Sequence, residues 1–512
     1  MTSVAEPGSS HFKSNLRAAS GLFYGVLEIF FGLGTIYMTS VIVSRTVNVS
    51  DFGVWSTAIQ AVTLISLLTS LRAEVTLAQV IGRARGAHSH APYRTITLTG
   101  FLLVTVFSGA VSLVLVVIGA SVGDGTEVLA IIGLTLTPIS LMLVLVGVQR
   151  GQERMRASTI TRVVPYLIWL VAAIGLAIAH ASLKTFAAVY TMTISASIAV
   201  QLMVYWQSSN RQWGIASDDT IHTETRSMRS TYLRLMLVTG LPLGLAMLLD
   251  QGQNQLSGYV VILSQGATKA GIYNAGYWMA SILSKGLVAI IGIFVPLTAR
   301  LLAENNLNMA RSVYQRVTRW VFLPTLIAAA TAFVYAPTVL CIYGREYASG
   351  STAFRILIVG FVINVLFGPN RAFLIASNRG HLILYSTLLT TALTLMVSVV
   401  LVPQWGIEGA AVAAAINIIL GNLWASGWLW FTLHTQPFTR PYLNLISFGT
   451  LSAAVLGSGM LALTGSTLLG AILFGLLYSL LLLLWVWKSG FADGEDRELG
   501  HYLLRRIRPS RA

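Results

Sequence analysis

Charge is what this sequence has little of. Only 10% of its 512 residues are Asp, Glu, Lys or Arg, while 55% are hydrophobic. A soluble domain carries about a quarter of its residues as charges, because polar side chains have to cover its surface. So few charges exclude a soluble multidomain enzyme. Disorder is excluded as well, since it needs low hydrophobicity and high charge. Cysteine is nearly absent: the single Cys341 excludes a disulfide framework or a thiolate metal site. None of the eight histidines pairs with another at metal-ligand spacing within an apolar run, so neither a metal nor a cofactor is expected. A Walker lysine motif is missing, which argues against ATP hydrolysis by this chain. Long hydrophilic stretches are missing too, the longest being Gln207–Tyr232.

Apolar runs take up most of the remainder. A membrane-crossing helix needs roughly 20 mostly apolar residues. Fourteen stretches qualify: 22–43, 53–80, 96–120, 127–148, 163–180, 183–206, 236–263, 272–299, 320–342, 354–376, 381–402, 407–431, 443–464 and 467–487. The first follows His11, Lys13 and Arg17 as a signal peptide would, but it is too long and lacks a small-residue cleavage site. It reads as a retained helix. The expected fold class is an all-α polytopic membrane protein with 14 transmembrane helices. An even count puts both termini on one side of the membrane. Of the 33 Lys and Arg, 25 fall on the side of the N-terminus, five on the other side and three inside spans. Positively charged loops stay cytoplasmic, so both termini are expected inside. The net charge of +15 is then mostly topology, with some attraction to anionic lipid at the inner leaflet. Nucleic acid is not needed as a partner.

The position of Gln207–Tyr232 suggests a cytoplasmic linker between two six-helix halves. The expected organisation is an N-terminal segment (1–20), an N-lobe (21–206), a linker (207–235), a C-lobe (236–431), two further helices (443–487) and a basic tail (488–512). The halves look alike. Asp51-Phe52-Gly53-Val54-Trp55-Ser56 opens the second span and Ala270-Gly271-Ile272-Tyr273-Asn274 the eighth, each a glycine turn followed by an aromatic. Arg150-Gly151-Gln152-Glu153-Arg154 and Ser377-Asn378-Arg379-Gly380-His381 form cytoplasmic turns after the fourth and tenth spans. Six spans per half give the copies one orientation, as in transporters built from parallel repeats.

Charges inside spans carry the functional information, because each costs roughly 2.5–3.5 kcal/mol at a helix centre even on the mildest scale. They are Glu28, Arg72, Glu74, Asp250, Lys285 and Arg371. One reading is ion pairing that locks helices, such as Arg72 with Glu28 or Lys285 with Asp250. The other is a water-filled cavity, cationic toward the cytoplasm, that draws in an anionic substrate whose phosphate oxygens arginine can grip with paired hydrogen bonds. The seventh span adds a polar run, Asp250-Gln251-Gly252-Gln253-Asn254-Gln255-Leu256-Ser257-Gly258. Facing lipid, its amides would lack partners. They read either as a cavity wall suited to sugar hydroxyls, with Gln253 and Asn254 as contacts, or as interhelical hydrogen bonds.

Five stretches together carry a resemblance. They are Arg45 to Trp55, Gly240-Leu241-Pro242, Ala270-Gly271-Ile272-Tyr273, Phe294-Val295-Pro296 with Leu301, and Trp405-Gly406-Ile407-Glu408-Gly409-Ala410-Ala411. In that order, over about residues 15–490, the chain resembles the polysaccharide flippase (Wzx-type) branch of the multidrug/oligosaccharidyl-lipid/polysaccharide (MOP) exporter superfamily. The resemblance implies two six-helix lobes around a cavity that opens alternately to each side of a bacterial inner membrane. It implies a substrate, an oligosaccharide on undecaprenyl pyrophosphate, moved from the cytoplasmic to the periplasmic leaflet for O-antigen, lipopolysaccharide or exopolysaccharide synthesis. Besides that substrate and membrane lipids, the implied partners are a polysaccharide polymerase and chain-length proteins.

The resemblance also implies that cavity cations meet the pyrophosphate, a role that falls here on Arg72, Lys285 and Arg371. One departure stands out: Gln253-Asn254 occupies the place where many relatives carry Asp followed by a basic residue. Two alternatives remain open. The first is a cation-coupled drug or lipid II exporter of the same fold, with Asp250 and Glu28 on the coupling ion. The second is a membrane polymerase or ligase, which the short external loops disfavour.

Overall fold

The computed structural model describes residues 27–28, 30–32, 34–86, 93–121, 127–212, 233–234, 236–489 and 491. The expected N-terminal segment, most of the linker and nearly all of the basic tail lie outside the described residues. Within those residues every regular element is helical and no strand occurs.

Helix α1 (34–46) leads into α2 (Val49–Thr69), α3 (Ala73–Gly86), α4 (Tyr93–Ser121), α5 (Glu127–Gly133), α6 (Leu136–Gly151), α7 (Met155–Ile178) and α8 (Leu183–Gln212). Next come a π-helical turn (Met236–Gly240), α9 (Leu241–Gly252), α10 (Leu256–Ser281), a 3-10 turn (Ile282–Ser284), α11 (Lys285–Ala303) and α12 (Leu307–Val334). Then follow α13 (Ala336–Leu340), a 3-10 turn (Arg345–Gly350), α14 (Ser351–Leu366), α15 (Asn370–Ala376), α16 (Gly380–Leu433), α17 (Arg440–Thr464) and α18 (Leu468–Lys488).

Eleven helical stretches among the described residues are long and apolar enough to cross a bilayer. Two of them exceed any single crossing: Leu256–Ala303 has 48 residues and Gly380–Leu433 has 54. At about 1.5 Å per residue, the longer one is more than twice the ~30 Å of a hydrocarbon core. Both are interrupted by a kink at a glycine. Gly266 (φ 82°, ψ 174°) and Gly406 (φ 60°, ψ −135°) have backbone angles that side-chain-bearing residues do not tolerate.

The chain forms two compact units, Met1–Trp278 with Thr387–Asn417, and Met279–Ser386 with Ile418–Ala512. In the first, α6 packs against α3, α4 and α7, while α2 packs against α5, α6 and α9. Leu71, Leu77, Ile81, Val104, Val144 and Leu145 fill its interior. Close backbone approach sets the spacing. A Cβ on Gly147 would overlap the Ala73 carbonyl oxygen, so α6 meets α3 backbone to backbone, the packing that small residues give membrane helices.

The two glycine motifs that look alike in the sequence touch each other in this unit. A Cβ on Gly53 would overlap the Ala267 carbonyl oxygen, and one on Gly271 the Val49 carbonyl oxygen. Asn274 Nδ2 donates to Ser56 Oγ (2.8 Å) and Thr57 Oγ1 (3.2 Å). Phe52 stands edge-on to Trp278, with ring centres 5.9 Å apart.

The second unit is built on aromatic residues. Helix α12 packs against α14, α17 and α18, and Phe322, Tyr335, Tyr442, Phe474 and Tyr478 are buried among them. Helices α17 and α18 thus share a core with the helices that precede them.

Substituting Gly53→Ala forces the Gly53–Ala267 crossing apart. We expect a loss of about 1–3 kcal/mol, the usual cost of overpacking, read as a lowered unfolding temperature in detergent. Gly109→Ala, where nothing lies within 4 Å of the new Cβ, is expected to leave that temperature unchanged.

Candidate functional site

Each intramembrane cation singled out in the sequence sits at a break in its helix. The span read as 53–80 is broken between α2 and α3. Leu71 and Arg72 both adopt φ 50°, two successive left-handed residues without glycine, each costing roughly 1–2 kcal/mol. The surroundings hold this conformation in place. Leu71 is fully buried, and Gly240 approaches the Leu71 carbonyl so closely that a Cβ there would overlap it. The freed backbone is satisfied locally: Ser70 N donates to Ser66 O (2.9 Å), and Val75 N and Thr76 N donate to Arg72 O (2.8 and 3.0 Å). Thr69 and Ser140 hydroxyls, 2.9 Å apart, tie the break to α6.

Arg72 forms an ion pair with Glu74, not the pairing with Glu28 considered from the sequence. The other carboxylate oxygen of Glu74 is buried without a hydrogen-bond partner among the described residues. Glu28 lies between two other arginines. Arg150 Nη2 donates to both of its oxygens (3.2 and 3.0 Å), and Arg162 Nη1 donates to Oε1.

Asp250, Gln253 and Asn254 lie where α9 gives way to α10 through a turn at 253–255. The Asp250 carboxylate accepts from Gln251 Nε2 (3.2 Å) and Gln253 Nε2 (3.4 Å). Helix α16 meets the other polar groups. Thr390 Oγ1 donates to Gln253 Oε1 (2.7 Å), Asn417 Nδ2 donates to Asn254 Oδ1 (3.4 Å), and Ser257 bonds Ser398 (3.0 Å). Gln253 is buried by these contacts, whereas Asp250 and Asn254 are half-buried. The polar run thus does interhelical work along one side and keeps two side chains partly open.

In the second unit, Lys285 opens α11 directly after the 3-10 turn Ile282–Ser284, and Thr325 Oγ1 donates to the Leu283 carbonyl there (3.4 Å). Lys285 is half-buried and makes no ion pair among the described residues. Arg371 lies on α15, just past a break at Gly368-Pro369. Gly368 has φ 63°, and a Cβ on it would overlap the Thr318 hydroxyl. A helix that stops inside a bilayer leaves carbonyls with no water to bond. Two buried tyrosines supply the missing donors: Tyr442 OH donates to Leu366 O (2.9 Å) and Tyr314 OH to Phe367 O (2.7 Å). Beyond the break, Asn370 Nδ2 donates to Asn422 O (3.1 Å), Asn422 Oδ1 (3.2 Å) and Ser426 Oγ (2.9 Å). The Arg371 N–H donates to Asn370 Oδ1 (2.7 Å). Helix α15 packs on α11, so Lys285 and Arg371 are borne by neighbouring helices.

Arg150 and Arg162 were not among the site residues read from the sequence, because they count there as loop charges. The signal was Glu28, a buried carboxylate that needs a partner. Asn370 and Asn422 were missed as well, along with Asn364, whose Oδ1 accepts from Asn422 Nδ2 (3.0 Å), and amides inside apolar spans were the signal.

Solved structures with the same fold are transporters. An inward-facing multidrug resistance MATE family transporter of the MOP superfamily aligns with a TM-score of 0.62 at 14% identity, covering 79% of this chain and 94% of that one. A MOP superfamily transporter from Pyrococcus furiosus, described as having a binding pocket of reverse polarity, aligns with a TM-score of 0.56 at 15% identity, covering 81% and 95%. An outward-facing MATE family transporter aligns with a TM-score of 0.57 at 14% identity, covering 81% and 95%. No curated protein matches the chain in sequence. The chain is a multi-pass membrane protein with the fold of these transporters. Residues 19–302 match the family model of the polysaccharide biosynthesis proteins, and the chain belongs to that family.

Removing the Tyr442 hydroxyl as Tyr442→Phe leaves the Leu366 carbonyl unsatisfied. We expect about 1–3 kcal/mol of lost stability, measured by unfolding in detergent. Tyr385→Phe, at an exposed ring, is the comparison expected to leave that stability unchanged.

Proposed function

We propose that this protein is a flippase that carries an undecaprenyl-pyrophosphate-linked oligosaccharide from the cytoplasmic to the periplasmic leaflet for surface polysaccharide synthesis. The observation that carries this reading is the placement of Arg72, Lys285 and Arg371 at breaks in apolar helices. Broken membrane helices are where transporters hold charged substrates. Guanidinium and ammonium groups suit the phosphate oxygens, and Asp250 and Asn254 offer acceptors and donors to sugar hydroxyls. The lipid tail stays in the bilayer throughout. The N-lobe (21–206) and C-lobe (236–431) expose the headgroup to each side in turn by alternating access. No covalent step is involved, in keeping with a family and fold of transporters.

The same proposal includes fourteen spans in a bacterial inner membrane with both termini cytoplasmic. Three additions support the count. They are α1, the short apolar stretch Met236–Gly252 continued to Gly266, and the division of Gly380–Leu433 at Gly406. A polymerase and chain-length proteins would take up the product.

A second reading, a cation-coupled drug or lipid II exporter, draws on the multidrug transporters that share the fold. Glu28 weighs against it. A carboxylate already neutralised by two arginines is a poor ligand for a coupling cation.

The test is export in cells carrying Arg72→Ala, Lys285→Ala or Arg371→Ala. We expect each to lower surface polymer at least tenfold, as loss of a charged hydrogen bond of about 1.5–3 kcal/mol implies, with membrane insertion intact. Lipid-linked precursor is expected to accumulate on the inner leaflet. Wild-type polymer from all three variants contradicts the site, and a change in drug susceptibility without loss of polymer supports the second reading.

A further inference from the structure

The flippase reading gives Arg150 and Arg162 no task. Their geometry is nonetheless that of a site. Arg150 closes α6 and Arg162 lies on α7, across a tight turn in which Glu153 adopts φ 59°. Beside them, Thr161 Oγ1 donates to Gln149 Oε1 (3.0 Å), and both of these residues are buried. This bond ties α6 to α7 beside the two arginines and does not involve Glu28.

Charge is out of balance in this region. Among the described residues, three arginines pair with two glutamates: Arg72 with Glu74, and Arg150 and Arg162 with Glu28; Glu74 also acts electrostatically on Arg162. The Glu28 side chain is only 10% exposed, whereas those of Arg150 and Arg162 are 30% and 34% exposed. The carboxylate is enclosed, while the two guanidinium side chains are half-buried. A guanidinium carries five N–H donors in a planar fork. Arg150 bonds Glu28 through Nη2 and Arg162 through Nη1. Two arginines spaced to hold one carboxylate between them are also spaced to hold a phosphate, which brings more charge and more acceptor oxygens.

We propose that Arg150 and Arg162 form an anion-binding pair for the pyrophosphate of the lipid carrier, and that Glu28 is the internal anion that occupies the pair until the carrier displaces it. This rests on the flippase reading and its orientation, which places the pair toward the cytoplasmic leaflet where the carrier is loaded. Glu28 then sets the affinity of loading. Displaced, it leaves the two helices joined through Gln149 and Thr161, and on departure of the carrier it returns.

The test uses the full chain in nanodiscs of phosphatidylcholine and measures equilibrium binding of farnesyl pyrophosphate, with farnesol as the uncharged control. Glu28→Gln removes the competing charge at equal size and is expected to tighten binding about tenfold, within the usual range of couplings between ligands. Arg150→Gln and Arg162→Gln are each expected to weaken it about tenfold. Glu28→Asp withdraws the carboxylate by one methylene while keeping its charge, and is expected to fall between wild type and Glu28→Gln. It also serves as the readout should Glu28→Gln fail to elute as a single species.

Unchanged or weaker binding by a folded Glu28 variant overturns the proposal, since a purely structural ion pair predicts that result. Wild-type binding by both arginine variants overturns it as well. Phosphatidylglycerol is expected not to displace the probe, and displacement at equal concentration would assign the pair to ordinary lipid headgroups instead. If these tests fail while Arg72, Lys285 and Arg371 remain necessary for export, the flippase reading stands without the Glu28 plug. If the wild-type protein binds no pyrophosphate lipid at all, the flippase reading falls too.

Discussion

A helix that breaks inside a bilayer has to find partners for the backbone groups it releases, and this constraint governs the chemistry of the chain. Water is not at hand, so each break needs its own supports. At Gly368-Pro369 they are the hydroxyls of Tyr314 and Tyr442. At Leu71-Arg72 they are the Arg72 carbonyl capping α3 and the close approach of Gly240. Supports of this kind are costly to assemble, which is why a break with a charge beside it reads as functional.

The same logic gives the C-terminal helices a place in the mechanism. In the sequence they are an addition outside the six-helix repeat. In the structure, Tyr442 on α17 bonds the carbonyl that α14 leaves free, four peptide links before Asn370 opens α15. The break that precedes Arg371 is therefore supported by a helix from outside the two expected six-helix halves. Glu28 links distant elements in a similar way, with one carboxylate joining the first described helical residues to the end of α6 and to α7.

Much of this was legible beforehand. Hydropathy alone gave an all-helical membrane protein, and the glycine motifs around Gly53 and Gly271 were visible as a repeated pattern before the structure put them in contact. The resemblance to polysaccharide flippases agrees with the family match. The helix breaks were harder to read. Gly368-Pro369 carries an explicit signal, but Ser70-Leu71-Arg72 contains neither proline nor glycine, and its bend is imposed by neighbours distant in sequence. Ion-pair partners were illegible for a related reason: Arg72 has two glutamates to choose from, and only packing decides between Glu28 and Glu74. Arg150 and Arg162 were hidden because a charge at the edge of an apolar run satisfies the topology rule whether or not it also binds something.

The central claim is that the cations at the helix breaks engage the pyrophosphate of a lipid-linked sugar. The most direct measurement is transport in proteoliposomes of two substrates with identical sugars and lipid tail, one joined through pyrophosphate and one through an uncharged linker. The account predicts that the protein moves the pyrophosphate-linked molecule and leaves the uncharged one in its original leaflet. Equal rates for the two would contradict it.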